Sequence, residues 1–146
     1  MRIVVASDHG GYEYKSEIKA HLEKNGHDVY DVGTFSNESV HYPIYAVAAA
    51  RKVAYGEADL GVIVCTSGEG VMMAANKVKG IRAGIGYNDE VSRLLKEHND
   101  ANMIAFGQKF MALEDVLRRV DLFINSTFEE GRHTERVNLI KKTESE

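Results

Sequence analysis

The sequence predicts an α/β protein, a three-layer sandwich with a five-stranded parallel sheet and a C-terminal helix. Two observations lead to this prediction. Short runs of β-branched and other apolar residues recur along the chain, and each is typical of a strand covered on both faces. Longer stretches between them carry apolar residues at the spacing of one helix face. Strands that alternate with helices form βα units, which favour parallel pairing.

Five strands are predicted in order. They are "RIVVA" at 2–6, "DVYDV" at 28–32, "LGVIVC" at 60–65, "IRAGIGY" at 81–87 and "NMIAFG" at 102–107. The third run is the most thoroughly apolar, whereas glycines weaken the fourth. Periodicity does not give the order of these strands in the sheet.

Helices are predicted between the strands. In the first, Tyr14, Ile18 and Leu22 recur at i+4, and Gly26 ends the helix. A polar loop is expected to end at Pro43, and a helix then runs to Gly56. The third helix is predicted at "GVMMAANKV" and the last at "GRHTERVNLIKK". Of the two helices between them, the first has on one face Val91, Leu94, Leu95 and His98. The second directs inward Leu113, Val116, Leu117, Val120 and Phe123 or Ile124. This pattern is Rossmann-like.

Composition limits the possible functions. The chain has 146 residues, which predicts a single domain over 1–146. The net charge of −4 does not favour nucleic acid or an anionic membrane as a partner. A single cysteine forms no internal disulfide, and neither a leader nor an apolar run of about 18 residues is evident. We therefore expect a cytoplasmic protein.

Three loops are expected to meet at one edge of the sheet. "SDHGG", "CTSGEG" and "GQK" each follow a predicted strand, and ligands of parallel α/β sheets bind beyond the carboxyl ends of the strands. Cys65 ends the third strand, where it is either a small buried hydrophobe or a base whose thiolate the next helix N-terminus favours. The loop after it is either a tight turn or an anion cradle. Its spacing fits neither common nucleotide-binding glycine motif.

Other polar residues also have two interpretations. His98 is either a core histidine or a group that moves protons near neutral pH. Asp8 is either an ordinary helix cap or, with His9, part of a site. Arg132 and Arg136 form either a phosphate fork, with Lys109 nearby, or a solvated face that pairs with Glu135 or Glu129. The six histidines show no zinc-binding pattern, so no metal site is predicted.

The sequence resembles the type B ribose-5-phosphate isomerase family, which also contains galactose-6-phosphate and allose-6-phosphate isomerases. The resemblance covers roughly residues 2–140 and is carried by ordered motifs. These are "ASDHGGYEYK", "DVGT", "YP", the Cys65 loop, "AANKVKGIRAG", "HNDANMIAFG" and "FEEGRHTERV". It implies aldose–ketose isomerisation through a cis-enediolate without a metal or other cofactor. It also implies a homodimer, or a tetramer, whose sites combine residues from both chains.

The resemblance also implies residue roles. Cys65 matches the base that moves a proton between C1 and C2 of the sugar, and His98 matches the acid–base group that opens the sugar ring. The oxyanion cradle matches Thr66, Ser67, Gly68, Glu69 and Gly70. The sugar and phosphate contacts match Asp8, His9, Tyr42, Asn99, Lys109, Arg132 and Arg136.

The sequence departs from the family pattern near the expected sugar pocket. Thr66 replaces a glycine, Glu69 replaces an aliphatic residue, and Ser67 stands where a threonine is usual. His41 stands where an aspartate usually precedes the Tyr-Pro pair. Glu69 is then a second base, a contact to a sugar hydroxyl or an outward-facing residue.

Three functional hypotheses follow. The first is isomerisation of ribose 5-phosphate to ribulose 5-phosphate. The second is the same chemistry on a six-carbon sugar 6-phosphate of the allose or galactose type. The third is a non-catalytic phosphosugar-binding subunit, against which the retained Cys65 and His98 argue. The absence of the usual fingerprints disfavours a nucleotide-binding module.

Overall fold

The structure, a computed structural model, describes all residues from 1 to 146. Its strands are β1 (Arg2–Ser7), β2 (Asp28–Asp31), β3 (Leu60–Cys65), β4 (Ala83–Ile85) and β5 (Met103–Gly107). Its helices are α1 (Tyr12–Lys24), α2 (Tyr42–Ala54), α3 (Glu69–Ala75), α4 (Asp89–Glu97), α5 (Leu113–Asn125) and α6 (Arg132–Thr143), and a single 3₁₀ turn at His9–Gly11 precedes α1. None of these helices is long and apolar enough to cross a membrane.

The five strands form one sheet in the order β2-β1-β3-β5-β4, and every pairing is parallel. Side chains of each strand alternate between two faces. Ile3 and Val5 join a core that α1 and α5 cover. Val4 and Ala6 join a second core that α2 and α3 cover. The predicted three-layer α/β fold with a five-stranded parallel sheet and a C-terminal helix is confirmed.

Three local predictions were wrong in detail. Pro43 lies in the first turn of α2 and does not end the preceding loop, because a first-turn residue needs no helical N–H bond. The fourth strand is only three residues long, since the side chain of Asn102 bonds the backbone N–H of Arg82 at 2.9 Å in place of a strand partner. The predicted apolar face of α4 is only half-buried, and the buried residue of this helix is Ser92, which was not among the predicted residues.

A buried ammonium group fixes the loop after β2. Lys15 is 1% exposed, its Nζ lies 2.8 Å from Asp31 Oδ1, and it also donates to the carbonyl of Thr34. The backbone of that loop in turn brackets Ser7, because Ser7 N–H donates to Gly33 O at 2.8 Å and Thr34 N–H donates to Ser7 O at 2.7 Å. Lys15 therefore stabilises the carboxyl end of β1.

We predict that Lys15→Ala lowers the free energy of unfolding by about 3 kcal/mol, because it leaves the Asp31 carboxylate and the Thr34 carbonyl without their cation. Urea unfolding measures this loss. The matched control is Lys19→Ala, which removes an exposed i,i+4 pair with Glu23 and should cost less than about 0.5 kcal/mol. Equal losses in the two variants would contradict the prediction.

Candidate active site

The sheet order places a crevice between β1 and β3. After β1 the chain continues to β2, which lies on one side of the β1–β3 pair. After β3 it continues to β4 and β5, which lie on the other side. Ligand sites of open parallel sheets lie at such a reversal, beyond the carboxyl ends of the strands. Asp8 follows β1 and Cys65 ends β3, so the reversal lies between two of the predicted site residues.

A cleft of about 390 Å³ opens at this point, and we call it the thiol cleft. Its lining consists of Asp8, Tyr42, Cys65, Thr66, Ser67, Glu69, Gly70 and Met73. Seven of these eight residues were predicted from the sequence, and Met73 was missed. Met73 lies four residues after Glu69 in α3, and that helical spacing is the signal that could have indicated it.

The Cys65 side chain has a specific partner in this cleft. Cys65 is 5% exposed, and the backbone N–H of Gly68 donates a hydrogen bond to the Cys65 Sγ at 3.1 Å. An N–H directed at the sulfur is placed to stabilise negative charge that develops there. Cys65 is thus both buried at the end of a strand and held as a hydrogen-bond acceptor.

The loop after Cys65 is pressed against the end of β5. The N–H of Gln108 donates to Cys65 O at 2.9 Å, and that of Lys109 donates to Thr66 O at 3.2 Å. Gly68 has φ +86°, and a Cβ on it would lie 2.9 Å from the carbonyl carbon of Phe106. The third predicted loop, "GQK", therefore meets the loop after Cys65, as expected.

The residues that depart from the family pattern fit the cleft in different ways. Thr66 does not have a positive φ; among the loop residues only Gly68 does. A Cβ on Gly10 would lie 2.3 Å from Thr66 Oγ1, so the threonine side chain occupies space that a larger residue 10 would need. Glu69 is exposed, lines the thiol cleft and has no ion-pair partner. Glu69 therefore borders both the thiol cleft and solvent.

Asp8, His9 and Tyr42 complete this half of the predicted site. Asp8 is 7% exposed and accepts a bond from Gly10 N–H at 2.9 Å, so it caps the 3₁₀ turn as one interpretation expected. His9 Nδ1 accepts a bond from the N–H of Val40 at 3.1 Å. The Tyr42 ring packs so closely on α3 that a Cβ on Gly70 would lie 2.7 Å from its Cε1.

His98 lies elsewhere, in a group of three side chains that we call the histidine cluster: His98, Glu129 and His133. His98 Nε2 is 3.2 Å from Glu129 Oε1, and His133 Nε2 is 3.8 Å from the same oxygen. The two rings stack with centroids 4.2 Å apart. Burial, followed by the charges of His98 and Arg132, lowers the pKa of His133. His98 is therefore neither a core histidine nor a neighbour of the thiol.

Arg132 and Arg136 lie in the first turns of α6, beside the histidine cluster. Both are exposed, and no carboxylate lies within ion-pair distance of either. The alternative in which they pair with Glu135 or Glu129 is wrong, because Glu129 pairs with His98. Asn99 is exposed next to His98. This second half of the predicted site thus offers two unpaired guanidinium groups to solvent.

The two halves lie at opposite edges of the sheet. In the register of β3 and β5, Cys65 pairs with Gly107 at one end and Gly61 pairs with Met103 at the other. His98 and Asn99 precede Met103 by a few residues, so they lie at the amino edge. Four residues of strand separate the edges by about 13 Å. A single chain does not bring Cys65 together with His98, Arg132 or Arg136.

The fold and the thiol cleft define a doubly wound α/β protein with a cleft at the carboxyl ends of its strands. Residues 3–140 match the family model described as Ribose/Galactose Isomerase. The chain belongs to this family, which confirms the predicted resemblance.

Individual relatives are similar over nearly their whole length. Ribose-5-phosphate isomerase B of Escherichia coli strain K12 is 41% identical over 143 residues, which cover 98% of this chain and 96% of that protein. The solved structure of Clostridium thermocellum ribose-5-phosphate isomerase B has a TM-score of 0.98 at 44% identity, covering 99% of this chain and 98% of that one. Ribose-5-phosphate isomerase B of Mycoplasma genitalium, solved with bound ribulose 5-phosphate, has a TM-score of 0.95 at 35% identity, with coverages of 99% and 97%.

We predict that Gly68→Ala lowers turnover at least about tenfold and the free energy of unfolding by about 2 kcal/mol or more, since it combines a positive φ with a backbone clash. Gly26 has a similar φ of +87°, but a Cβ added to it would meet no atom within 4 Å. Gly26→Ala should therefore cost about 1 kcal/mol and leave turnover unchanged. Activity assays and urea unfolding of both variants measure the effects; equal turnover in the two would contradict the role of the Gly68 amide.

Proposed function

We propose that the chain, acting as one domain over residues 1–146, is a sugar-phosphate isomerase that interconverts ribose 5-phosphate and ribulose 5-phosphate. The observation that carries this proposal is the thiol of Cys65, which lies in a cleft at the sheet's reversal point with the Gly68 N–H directed at its sulfur. Membership of the Ribose/Galactose Isomerase family supports the reaction class. The relative solved with ribulose 5-phosphate supports the substrate.

Cys65 acts as the base in this mechanism. Its thiolate removes the proton from C2 of the open-chain aldose, the C–H electrons form a C1–C2 double bond, and the carbonyl oxygen becomes an oxyanion. The product is a cis-enediolate, whose charge the amides of the loop from Thr66 to Gly70 stabilise. The thiol then returns the proton to C1, and the hydroxyl proton of the C2 oxygen passes to the C1 oxyanion, which gives the ketose with a carbonyl at C2 and a hydroxyl at C1.

The phosphate is assigned to the basic residues. Arg132 and Arg136 are exposed without carboxylate partners, and unpaired guanidinium groups form strong paired bonds to phosphate oxygens. His98 opens the sugar ring by giving a proton to the ring oxygen, with Asn99 as its binding neighbour. Lys109 and His9 belong to the half that carries Cys65, where they contact the substrate with Asp8 and Tyr42.

The working site combines two chains. Because Cys65 and His98 lie at opposite edges of the sheet, the substrate reaches both only if a second copy presents its histidine cluster and arginines to the thiol cleft. A homodimer of this kind has two identical sites, each with Cys65 from one chain and His98 from the other. The location of the enzyme is expected to be the cytoplasm, where a free thiol stays reduced.

A six-carbon sugar 6-phosphate is the second candidate substrate. The family description includes galactose, and the exposed carboxylate of Glu69 in the thiol cleft offers an acceptor for an additional sugar hydroxyl. Assays with ribose 5-phosphate, allose 6-phosphate and galactose 6-phosphate distinguish the substrates. A chain that binds these sugars and turns over none of them is a binding subunit, which would contradict the proposal.

We predict that Cys65→Ala lowers kcat for ribose 5-phosphate at least about a thousandfold, because no other base has been placed at C2. Arg136→Ala should mainly raise KM, by roughly tenfold or more, because it removes a phosphate contact present in both ground and transition states. Steady-state kinetics of the two variants separate these effects. Full turnover by Cys65→Ala would show that another residue is the base, and Glu69 would be the first residue to test.

We also predict complementation between two inactive variants. When Cys65→Ala and His98→Ala chains are unfolded, mixed in equal amounts and refolded, half of the dimers combine the two. Each mixed dimer carries one intact site and one doubly defective site, so activity should return to about a quarter of the wild-type value. Mixtures that stay inactive, while each variant refolds to a dimer, would contradict the shared site.

A further inference from the structure

The histidine cluster has the composition of a metal site that the proposed isomerisation does not use. Two imidazole nitrogens approach a single carboxylate oxygen, at 3.2 Å from His98 and 3.8 Å from His133. All three candidate ligand atoms lie within 4.8 Å of one another. Two histidines and one glutamate form a donor set that proteins use for zinc when a fourth position stays open.

The distances between the ligand atoms are close to those around a bound ion, but one of the two rings must reorient. Zinc holds imidazole nitrogens and carboxylate oxygens at about 2.0–2.2 Å, so tetrahedral ligand atoms lie about 3.3 Å apart. The His98–Glu129 separation of 3.2 Å already has this value. The rings are stacked, 16° from parallel with centroids 4.2 Å apart, and a metal lies in the plane of each imidazole that binds it, so one ring must rotate out of the stack before both nitrogens point at a common ion.

Two further features favour a formed site over a chance cluster. The backbone N–H of Glu129 donates to Glu97 O at 2.9 Å, which fixes the carboxylate relative to the end of α4 where His98 lies. His133 is 9% exposed, and its ring lies between Glu129 and the stacked ring of His98 rather than in solvent.

The neighbouring cations limit the affinity. Arg132 and Arg136 lie close enough to His133 to lower its pKa, and the same positive charges oppose a divalent ion. Glu129 supplies a single compensating negative charge. A three-ligand site in this field is expected to bind borderline transition metals in the micromolar range, and hard ions such as Mg²⁺ much more weakly, because imidazole favours zinc.

We infer that His98, Glu129 and His133 form a binding site for Zn²⁺, and that an ion bound there inhibits the protein by occupying His98. The metal is an inhibitor in this proposal and takes no part in the isomerisation. A sugar phosphate that engages His98 and the adjacent arginines should compete with it. The inhibition rests on the proposed function, whereas the binding claim stands apart from it, because metal binding is measured without substrate.

The test is a titration of the metal-free protein with Zn²⁺ against a chromophoric chelator at pH 7, repeated with Co²⁺ as a spectroscopic probe. The expected result is one ion per chain with a micromolar Kd. Glu129→Gln and His133→Gln should each weaken binding at least about tenfold. The matched control is His41→Asn, which removes an exposed histidine without a hydrogen-bond partner in the structure and should bind as wild type.

Cys65→Ser distinguishes the histidine cluster from the thiol, which is the one sulfur ligand for zinc that a cysteine of this chain offers. The variant should keep wild-type binding, and the Co²⁺ spectrum should lack the charge-transfer band of a thiolate ligand. Three results would overturn the inference. The first is that the wild type binds no Zn²⁺ at a 100-fold molar excess of the metal. The second is that Glu129→Gln and His133→Gln both bind Zn²⁺ with wild-type affinity. The third is that Cys65→Ser no longer binds the ion. Circular dichroism of each variant confirms that it is folded before titration.

Discussion

The parallel direction of the strands separates the proposed site residues of this chain. Every loop that follows a strand lies at the carboxyl edge of the sheet, and every loop that precedes a strand lies at the amino edge. Cys65 lies at the carboxyl end of β3 by this rule, whereas His98 precedes β5. The sheet holds Cys65 and His98 apart, so both residues can contact one substrate molecule only if the second of them comes from another chain. The symmetry of the proposed dimer is thus a consequence of strand direction.

Close backbone packing makes the thiol cleft possible. The loop after Cys65 lies directly on the end of β5, where a Cβ on Gly107 would be 2.4 Å from Ser67 O. This contact holds the Gly68 amide in line with the sulfur. On the other side, Lys15 fixes the loop that brackets the end of β1. Stability and chemistry are therefore coupled, because residues that stabilise the strand ends also position Asp8 and Cys65.

Parts of this architecture could be predicted from the sequence, and others could not. The run "LGVIVC" gave the bounds of β3, since an apolar β-branched segment has few alternatives. The meeting of three loops at one edge also followed from strand direction alone. Strand order did not, because it depends on which crossovers pack best. The histidine cluster was not predictable, since the placement of α6 against the end of α4 depends on tertiary contacts such as Glu129 N–H with Glu97 O.

The most direct test of the shared site is a crystal structure of the protein with ribulose 5-phosphate. Our account predicts that C1 and C2 of the sugar lie within van der Waals reach of Cys65 Sγ in one chain. The phosphate should contact Arg132 and Arg136 of a second chain, with His98 of that chain near the sugar. A ligand held entirely by one chain, or one whose reacting carbons lie away from Cys65, would contradict the account.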